Sequence, residues 1–336
     1  METFVKNRIA CDSKAGLKHK LKNEQNQDTF QVAKTSDGIQ IIALCDGCSS
    51  ATFPKLGADV ASLQAIAFTR AYSQLHDVFW DEEKAIVFAN TLLDSIRSCI
   101  ANLQEDFGGP AALASTFLFA VFSHGHYLTI QLGDGAIIVS KNRKMHLLPT
   151  KQPKTDRQNV TYSTCDLLLR KSFDEIVTVT TGEADHLFLM TDGMRVLYTP
   201  VVDSPTFHAL SMANAFYSPE NRLDMLSKLT EICSSATMDD ATLVCVSNTS
   251  FSVCDLNVED RFRLFGYQKP KKSKHAKRNL RRAIRFYQTL TEQKTVEELA
   301  KTLHLSHTAI RRIGNRLEAL GLVKKIGETY RKTNHS

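Results

Sequence analysis

Asp46-Gly47, Asp192-Gly193 and Asp239-Asp240 are the residues of this chain best suited to carry chemistry. Each lies at one end of a short apolar run: after Ile41-Ile42-Ala43-Leu44-Cys45, after His186-Leu187-Phe188-Leu189-Met190-Thr191, and before Ala241-Thr242-Leu243-Val244-Cys245-Val246. If these runs are strands of one layered structure, their ends can gather three carboxylates at a single edge. Like charges held that close repel unless a cation sits among them. A thiol-free, all-oxygen donor set suits Mg²⁺ or Mn²⁺ better than Zn²⁺. Taken singly, an Asp-Gly pair is an ordinary turn dipeptide; three in this arrangement point to a hard-metal site.

The elements that must position these residues can be read from hydrophobic spacing. Residues 116–123 and 127–132 are predicted strands joined by a short turn at His124-Gly125-His126. Residues 137–140 and 145–148 form a second such pair, bending at Asn142-Arg143. Apolar residues at helical spacing predict helices over 56–72 and 83–103. The mixture predicts an α+β layered domain.

Several ordered motifs resemble the metal-dependent serine/threonine protein phosphatases of type 2C, in their bacterial branch, over residues 12 to 247. Gly16, His19 and Asn26-Gln27-Asp28 are similar to the family's opening segment. Cys45-Asp46-Gly47 with Gly57-Ala58 is similar to its first metal-binding turn. Leu113-Ala114-Ser115-Thr116 and Leu132-Gly133-Asp134-Gly135 resemble its central strands. Met190-Thr191-Asp192-Gly193-Met194 and Asp239-Asp240-Ala241-Thr242 resemble its last two metal motifs. The resemblance implies two packed, mainly antiparallel sheets flanked by helices. It also implies two, or with a weaker site three, Mn²⁺ or Mg²⁺ ions. These would activate a water for hydrolysis of phosphoserine or phosphothreonine, with two ions about 3.5–4 Å apart clamping the phosphoryl oxygens. By resemblance, Asp46 bridges the ions and the Gly47 carbonyl ligates one. Asp192 and Asp239 bind the other, Asp134 holds the third, and Asp28 orients waters held by the ions.

Three positions depart from the family pattern. Gln27 stands where some members carry a glutamate, and Cys48 where some carry a histidine. Asn23 occupies the place of an arginine that holds substrate phosphate; His19, Lys20 or Lys22 are the candidates to replace it, as point charges rather than a fork. The main carboxylates are all present, which favours an active enzyme over a regulator whose phosphatase-like domain only senses or docks a protein. Cys45 and Cys48 form a C-x-x-C, but without a second pair at similar spacing they read as two cysteines beside a turn. His124, His126 and His186 are expected at the surface or in turns.

Length and composition bound the remainder. A chain of 336 residues with 43% hydrophobic content suits a globular protein of two domains. No run approaches the roughly 20 apolar residues of a membrane span, and the first ten residues lack a signal peptide's apolar stretch. Eight cysteines without framework spacing point to reduced thiols in a cytoplasm. Charge is unevenly spread: residues 269–336 carry 18 Lys and Arg against 5 Asp and Glu, within a whole chain of net charge +6. A basic tail on an acidic body points to a polyanionic partner.

That tail has its own signals. Thr295 and Glu298 fit a capping box, followed by Val296, Leu299, Ala300 and Leu303 at helical spacing. Ser306 can cap a second helix bearing Ile310, Ile313, Leu317 and Leu320, which Gly321 stops. Residues 322–330 read as a basic hairpin, and an earlier helix over 277–289 completes the set. The pattern resembles a winged helix-turn-helix domain, in which His307, Arg311 and Arg312 would face duplex DNA and Lys324 and Lys325 would touch phosphates. A small module that binds protein is the alternative. The expected organisation is a catalytic domain over 1–250, a basic linker over 251–276 and the small domain over 277–336. The expected partners are a phosphorylated protein substrate, a cognate serine/threonine kinase and duplex DNA, with no membrane.

Overall fold

The computed structural model describes residues 2–6, 8–72, 81–153, 160–170, 172–198, 205–248, 252–267 and 274–333. Two antiparallel sheets stack face to face. The six-stranded sheet has the order β1 (Glu2–Lys6), β2 (Ile9–Lys14), β11 (Ala241–Ser247), β10 (His186–Met190), β7 (Ala136–Lys141), β8 (Lys144–Leu147). The five-stranded sheet runs β3 (Asp28–Lys34), β4 (Gln40–Asp46), β5 (Phe117–Ser123), β6 (His126–Leu132), β9 (Thr178–Glu183).

Helices cover both outer faces, so the central strands are buried on two sides. That is why they read as unbroken apolar runs rather than alternating ones. Along β4, Ile42 and Leu44 enter the layer between the sheets with Leu118, Ala120, Leu187 and Val244. Their neighbours Ile41 and Ala43 face outward onto α2 (Pro54–Ala71) and α3 (Glu82–Leu103), packing with Ala61, Phe88 and Leu92. The short helices α1 (Leu17–Lys22), α4 (Asp166–Leu169) and α5 (Arg195–Tyr198) lie in connections. On the other outer face Phe188, Met190 and Leu243 meet Phe207 and Leu210 of α6 (Pro205–Phe216) and Leu226 of α7 (Pro219–Thr237). The anticipated strands and helices fall within a residue or two of their places. The hairpin turn lies at His124 and Gly125, whose φ values are 48 and 85 degrees.

The segment anticipated as a linker is partly folded. Residues 252–267 contain α8 (Val258–Leu264), capped by the Asn257 side chain, and bury Phe262, Leu264 and Phe265. Within the anticipated basic linker, residues 268–273 lie outside the described residues. Beyond it come α9 (Lys274–Thr289), α10 (Val296–Leu303) and α11 (His307–Ala319). A small antiparallel sheet joins them, in the order β12 (Lys294–Thr295), β14 (Thr329–Lys332), β13 (Val323–Ile326). The capping box at Thr295 and Glu298 is present, and Ser306 caps α11. One continuous apolar cluster joins Met212, Ala215 and Phe216 of α6 to Phe262 and Phe265, and then to Leu280, Phe286, Ile310 and Tyr330. The C-terminal module therefore shares its core with the sandwich instead of hanging from a tether. Ser218 N donates to Gly321 O at 2.7 Å across the same junction.

His186 is also corrected. It lies inside β10 at 4% exposure, with Nδ1 2.8 Å from Ser247 Oγ, because both outer neighbours of that strand are covered. His124 is exposed and His126 half-buried.

Candidate metal centre and active-site edge

The carboxylates meet where both sheets end. Asp28 opens β3 and pairs in register with Asp46, the last residue of β4. Asp134 sits in the turn by which β6 passes into β7, hence from one sheet to the other. Asp192 follows β10 and Asp239 precedes β11, strands that are direct neighbours. The backbones approach so closely that side chains are excluded. A Cβ on Gly193 would stand 1.7 Å from Asp240 O, and one on Gly16 2.3 Å from Asp239 C.

Asp28 is the best anchored of the set. Its Oδ2 accepts from Thr191 Oγ1 at 2.9 Å and Thr242 Oγ1 at 2.6 Å, both from the opposite sheet. Its Oδ1 is buried and receives no hydrogen bond. Burial, and then the charge of Asp240, pushes Asp28 up to about 7. Asp46 lies between Asp28 and Asp192 within proton-sharing reach of both; burial and then these neighbours push it well above the usual carboxylate range. Burial, then Asp134 and Asp239, pushes Asp192 up to about 6, and burial raises Asp134 too. A divalent cation among these carboxylates would lower every one of the raised values. Among the described residues no three His, Cys, Asp or Glu side chains already close on one point at ligation distance. The donors are gathered at one edge and remain separate. An orphaned buried oxygen and a set of mutually repelling carboxylates fit a hard divalent ion.

The adjacent pair Asp239-Asp240 divides its work. Asp240 points inward: its Oδ1 accepts from Gly16 N at 2.7 Å and its Oδ2 from Gln27 N at 2.6 Å. Its neighbour Asp239 stays half-exposed at the edge. His19 belongs to the Asp240 clamp. It is 3% exposed, with Nδ1 2.8 Å from Asp240 Oδ1 but out of line for a hydrogen bond. It nevertheless lines the same cavity as Lys22 and so stays among the candidates for substrate phosphate. Lys20 is exposed on α1 but away from the cavity beside the carboxylates, which measures about 410 Å³. Lys22 does line that cavity, together with Lys18, Lys55, Gln27 and Phe53. Lys55 Nζ donates to Asp28 O at 3.0 Å and pairs with Asp59 Oδ1 at 3.1 Å.

Asp240 was singled out only as half of an acidic pair, and Thr191, Thr242, Lys18 and Lys55 were given no role from sequence. The threonines carried a signal, each standing beside an acidic motif at the mouth of an apolar strand. The lysines had none, because α1 and the start of α2 meet only in the fold. The two thiols of the C-x-x-C diverge, Cys45 into the core beneath α2 and Cys48 toward the edge. Burial pushes Cys48 up to about 12, followed by the charge of Asp46, so its thiol stays protonated.

A helix-flanked double sheet with an oxygen-donor cluster at one edge is the architecture of a metal-dependent hydrolase. The family profile of Protein phosphatase 2C matches residues 15–245, and the chain belongs to that family of serine/threonine phosphatases, which use Mn²⁺ or Mg²⁺. Solved structures agree in fold. A bacterial serine phosphatase is 13% identical with a TM-score of 0.54, covering 74% of this chain and 100% of that one. The serine/threonine phosphatase Stp1 of Staphylococcus aureus is 12% identical with a TM-score of 0.53, covering 74% and 97%. The catalytic domain of the serine threonine protein phosphatase PstP, solved in complex with two manganese ions, is 16% identical with a TM-score of 0.50, covering 71% and 96%. No curated protein matches the chain by sequence. Among the described residues no helix is long and apolar enough to cross a membrane.

Proposed function

We propose that the chain is an active phosphoserine/phosphothreonine phosphatase whose centre is built by Asp46, Asp192 and Asp239, with the Gly47 carbonyl as a further ligand and Asp134 at a weaker position. The observation that carries this reading is the gathering of these carboxylates, with Asp28, at one edge of both sheets. Divalent ions held there would neutralise phosphoryl charge and supply a nucleophilic water at neutral pH. Asp46, flanked by Asp28 and Asp192, has the placement for a ligand shared between two ions. Asp28, held by Thr191 and Thr242, is fixed in orientation and suits a positioning role. Lys22, Lys18 and Lys55 line the cavity beside this edge and are the candidates to meet substrate phosphate, with Glu24 3.9 Å from Lys22. The physiological substrate would be a phosphorylated protein opposed by a cognate kinase. A phosphopeptide assay of the purified protein, stripped with chelator and restored with Mn²⁺ or Mg²⁺, tests the reading; full activity in excess chelator overturns it.

For the C-terminal module we propose a winged helix-turn-helix that contacts duplex DNA. Its three helices and three-stranded sheet support this, with α11 exposing His307, Arg311 and Arg312. Lys324 is exposed on β13 and Lys325 half-buried. Mobility shift of the full chain at two salt concentrations is the test. Binding that does not weaken with salt, or no shift at low salt, favours a protein-docking or regulatory role. The domain boundaries change accordingly: residues 252–267 are proposed to belong to the core that joins the two parts.

A further inference from the structure

The C-terminal module carries a second concave site, remote from the carboxylate edge. Between α9 and α11 lies a cavity of about 390 Å³ lined by His275, Asn279, Arg282, Arg312, Arg316 and Tyr267, with the first turn of α11 at its rim. No carboxylate lines it. Arg316 is held in place: its guanidinium donates to Gly266 O and stacks 4.0 Å above the Tyr267 ring, leaving further N–H donors for a ligand. Arg282 and Arg312 have no ion-pair or hydrogen-bond partner among the described residues. Arg312 and Arg316 stand four residues apart on one helix face, a like-charge spacing that costs stability when nothing anionic lies between.

The positive end of α11 adds to the same field. Three arginines line one cavity together with an aromatic ring and Ile313, a donor set chemically suited to a phosphate monoester. Forked donors take its oxygens in pairs, and the apolar part of the ligand can rest on the ring. We propose that this cavity binds a phosphate-bearing group, carried either by a phosphorylated side chain or by a nucleotide. Thr308, Arg312 and Arg316 present this face toward α9. Arg311 turns the other way, pairing with Glu328 next to β14 at 2.9 Å. The site is therefore distinct from the wing side of α11, and it does not depend on the phosphatase reading.

The test uses the full chain in chelator, so that the carboxylate edge cannot hold phosphate through a metal. Calorimetric titration compares a phosphoserine peptide, the same peptide without phosphate, and ADP. The expected result is binding of at least one phosphorylated probe. Arg282→Ala with Arg312→Ala is expected to weaken it more than tenfold, Arg312→Lys to weaken it less, and Arg311→Ala to leave it unchanged. Circular dichroism of each variant checks that the fold is intact, Arg282 being half-buried and Arg311 and Arg312 exposed. Tighter binding of the peptide assigns the cavity to phosphoproteins, and tighter binding of ADP assigns it to nucleotides. Equal affinity with and without the peptide phosphate, or in the double variant, overturns the proposal.

Discussion

Buried carboxylates occur at both ends of the sandwich, and the two ends treat them in opposite ways. At one edge Asp28, Asp46, Asp134 and Asp192 face one another, and burial with mutual repulsion raises them all. At the other end Asp260 of α8 is fully buried, but the chain surrounds it with partners. Arg143 Nε stands 2.8 Å away, His208 Nε2 2.5 Å, and the Asn257 side chain donates as well. The first arrangement is unstable without something from outside; the second is self-sufficient. A charge cluster lacking its own counterions marks a functional edge, whereas one that supplies them marks a joint. Here the joint links the C-terminal segment to the sandwich, through pairs that bring β7, α6 and α8 together.

The comparison is broken most severely at the metal edge. Asp46→Asn or Asp239→Asn is expected to lower kcat by several orders of magnitude on a phosphopeptide. Folding should hold, because each change removes repulsion from a cluster whose charges oppose one another. Chemical denaturation in chelator should therefore show the Asp46→Asn chain at least as stable as the parent. Lost activity accompanied by lost stability would make these carboxylates structural instead.

At the joint the expectation is reversed. Asp260→Ala should destabilise the chain by about 2–3 kcal/mol. That is less than the ~3–5 for a fully buried pair, because Arg143 is half-exposed. Phosphatase activity of the folded fraction should be retained, since the joint lies at the opposite ends of β10 and β11 from Asp192 and Asp239. Truncation after Asn248 goes further. It uncovers Met212, Ala215 and Phe216 and removes Asp260 with α8, leaving Arg143 and His208 without their carboxylate, so poor solubility is expected where a free-standing catalytic domain would have been soluble. A stable, monomeric, active truncation would show that the shared core is dispensable.

Legibility in the sequence followed the same division. Strands that end in Asp46, Asp192 and Asp239 could be read because an apolar run followed by an acidic turn is a local signal. The capping box at Thr295 was legible for the same reason. By contrast, α8 was taken as linker: a seven-residue helix offers little periodicity, and the nearby basic run drew attention to charge. The clamp of His19 on Asp240 could not be read, because that partner lies far along the chain. His186 looked like a turn residue because its burial depends on strands beside it, not on its sequence neighbours. What the sequence withheld was pairwise geometry between distant segments.

A smaller effect follows from His186 itself. Burial, and then the nearby charge of His208, lowers its pKa to about 3 from an ordinary 6.5. The folded chain binds that proton later than the unfolded chain does. Its stabilising share is therefore whole above pH 6.5 and is lost as pH falls toward 3, at up to about 1.4 kcal/mol per pH unit. His186→Asn should flatten the acid side of the stability profile across that window. An unchanged profile would mean that other groups govern acid unfolding.

The smallest effect expected on stability lies in the C-terminal module, where Arg311 pairs with Glu328 on the surface. Both side chains are about half-exposed or more, so the pair contributes little and should weaken with salt. Arg311→Ala should therefore leave thermal unfolding nearly unchanged, while its effect on DNA binding could be larger. If Arg311 exchanges Glu328 for a guanine edge, the substitution should reduce sequence discrimination by about 1–3 kcal/mol. Lys325→Ala, by contrast, should weaken all sequences alike and lower the salt dependence by about one ion. Glu328→Ala sharpens the contrast, since it frees Arg311 and should strengthen binding if Arg311 touches DNA. A fall or no change in affinity for Glu328→Ala, measured by mobility shift of the full chain, would leave Arg311 as nothing more than a surface ion pair.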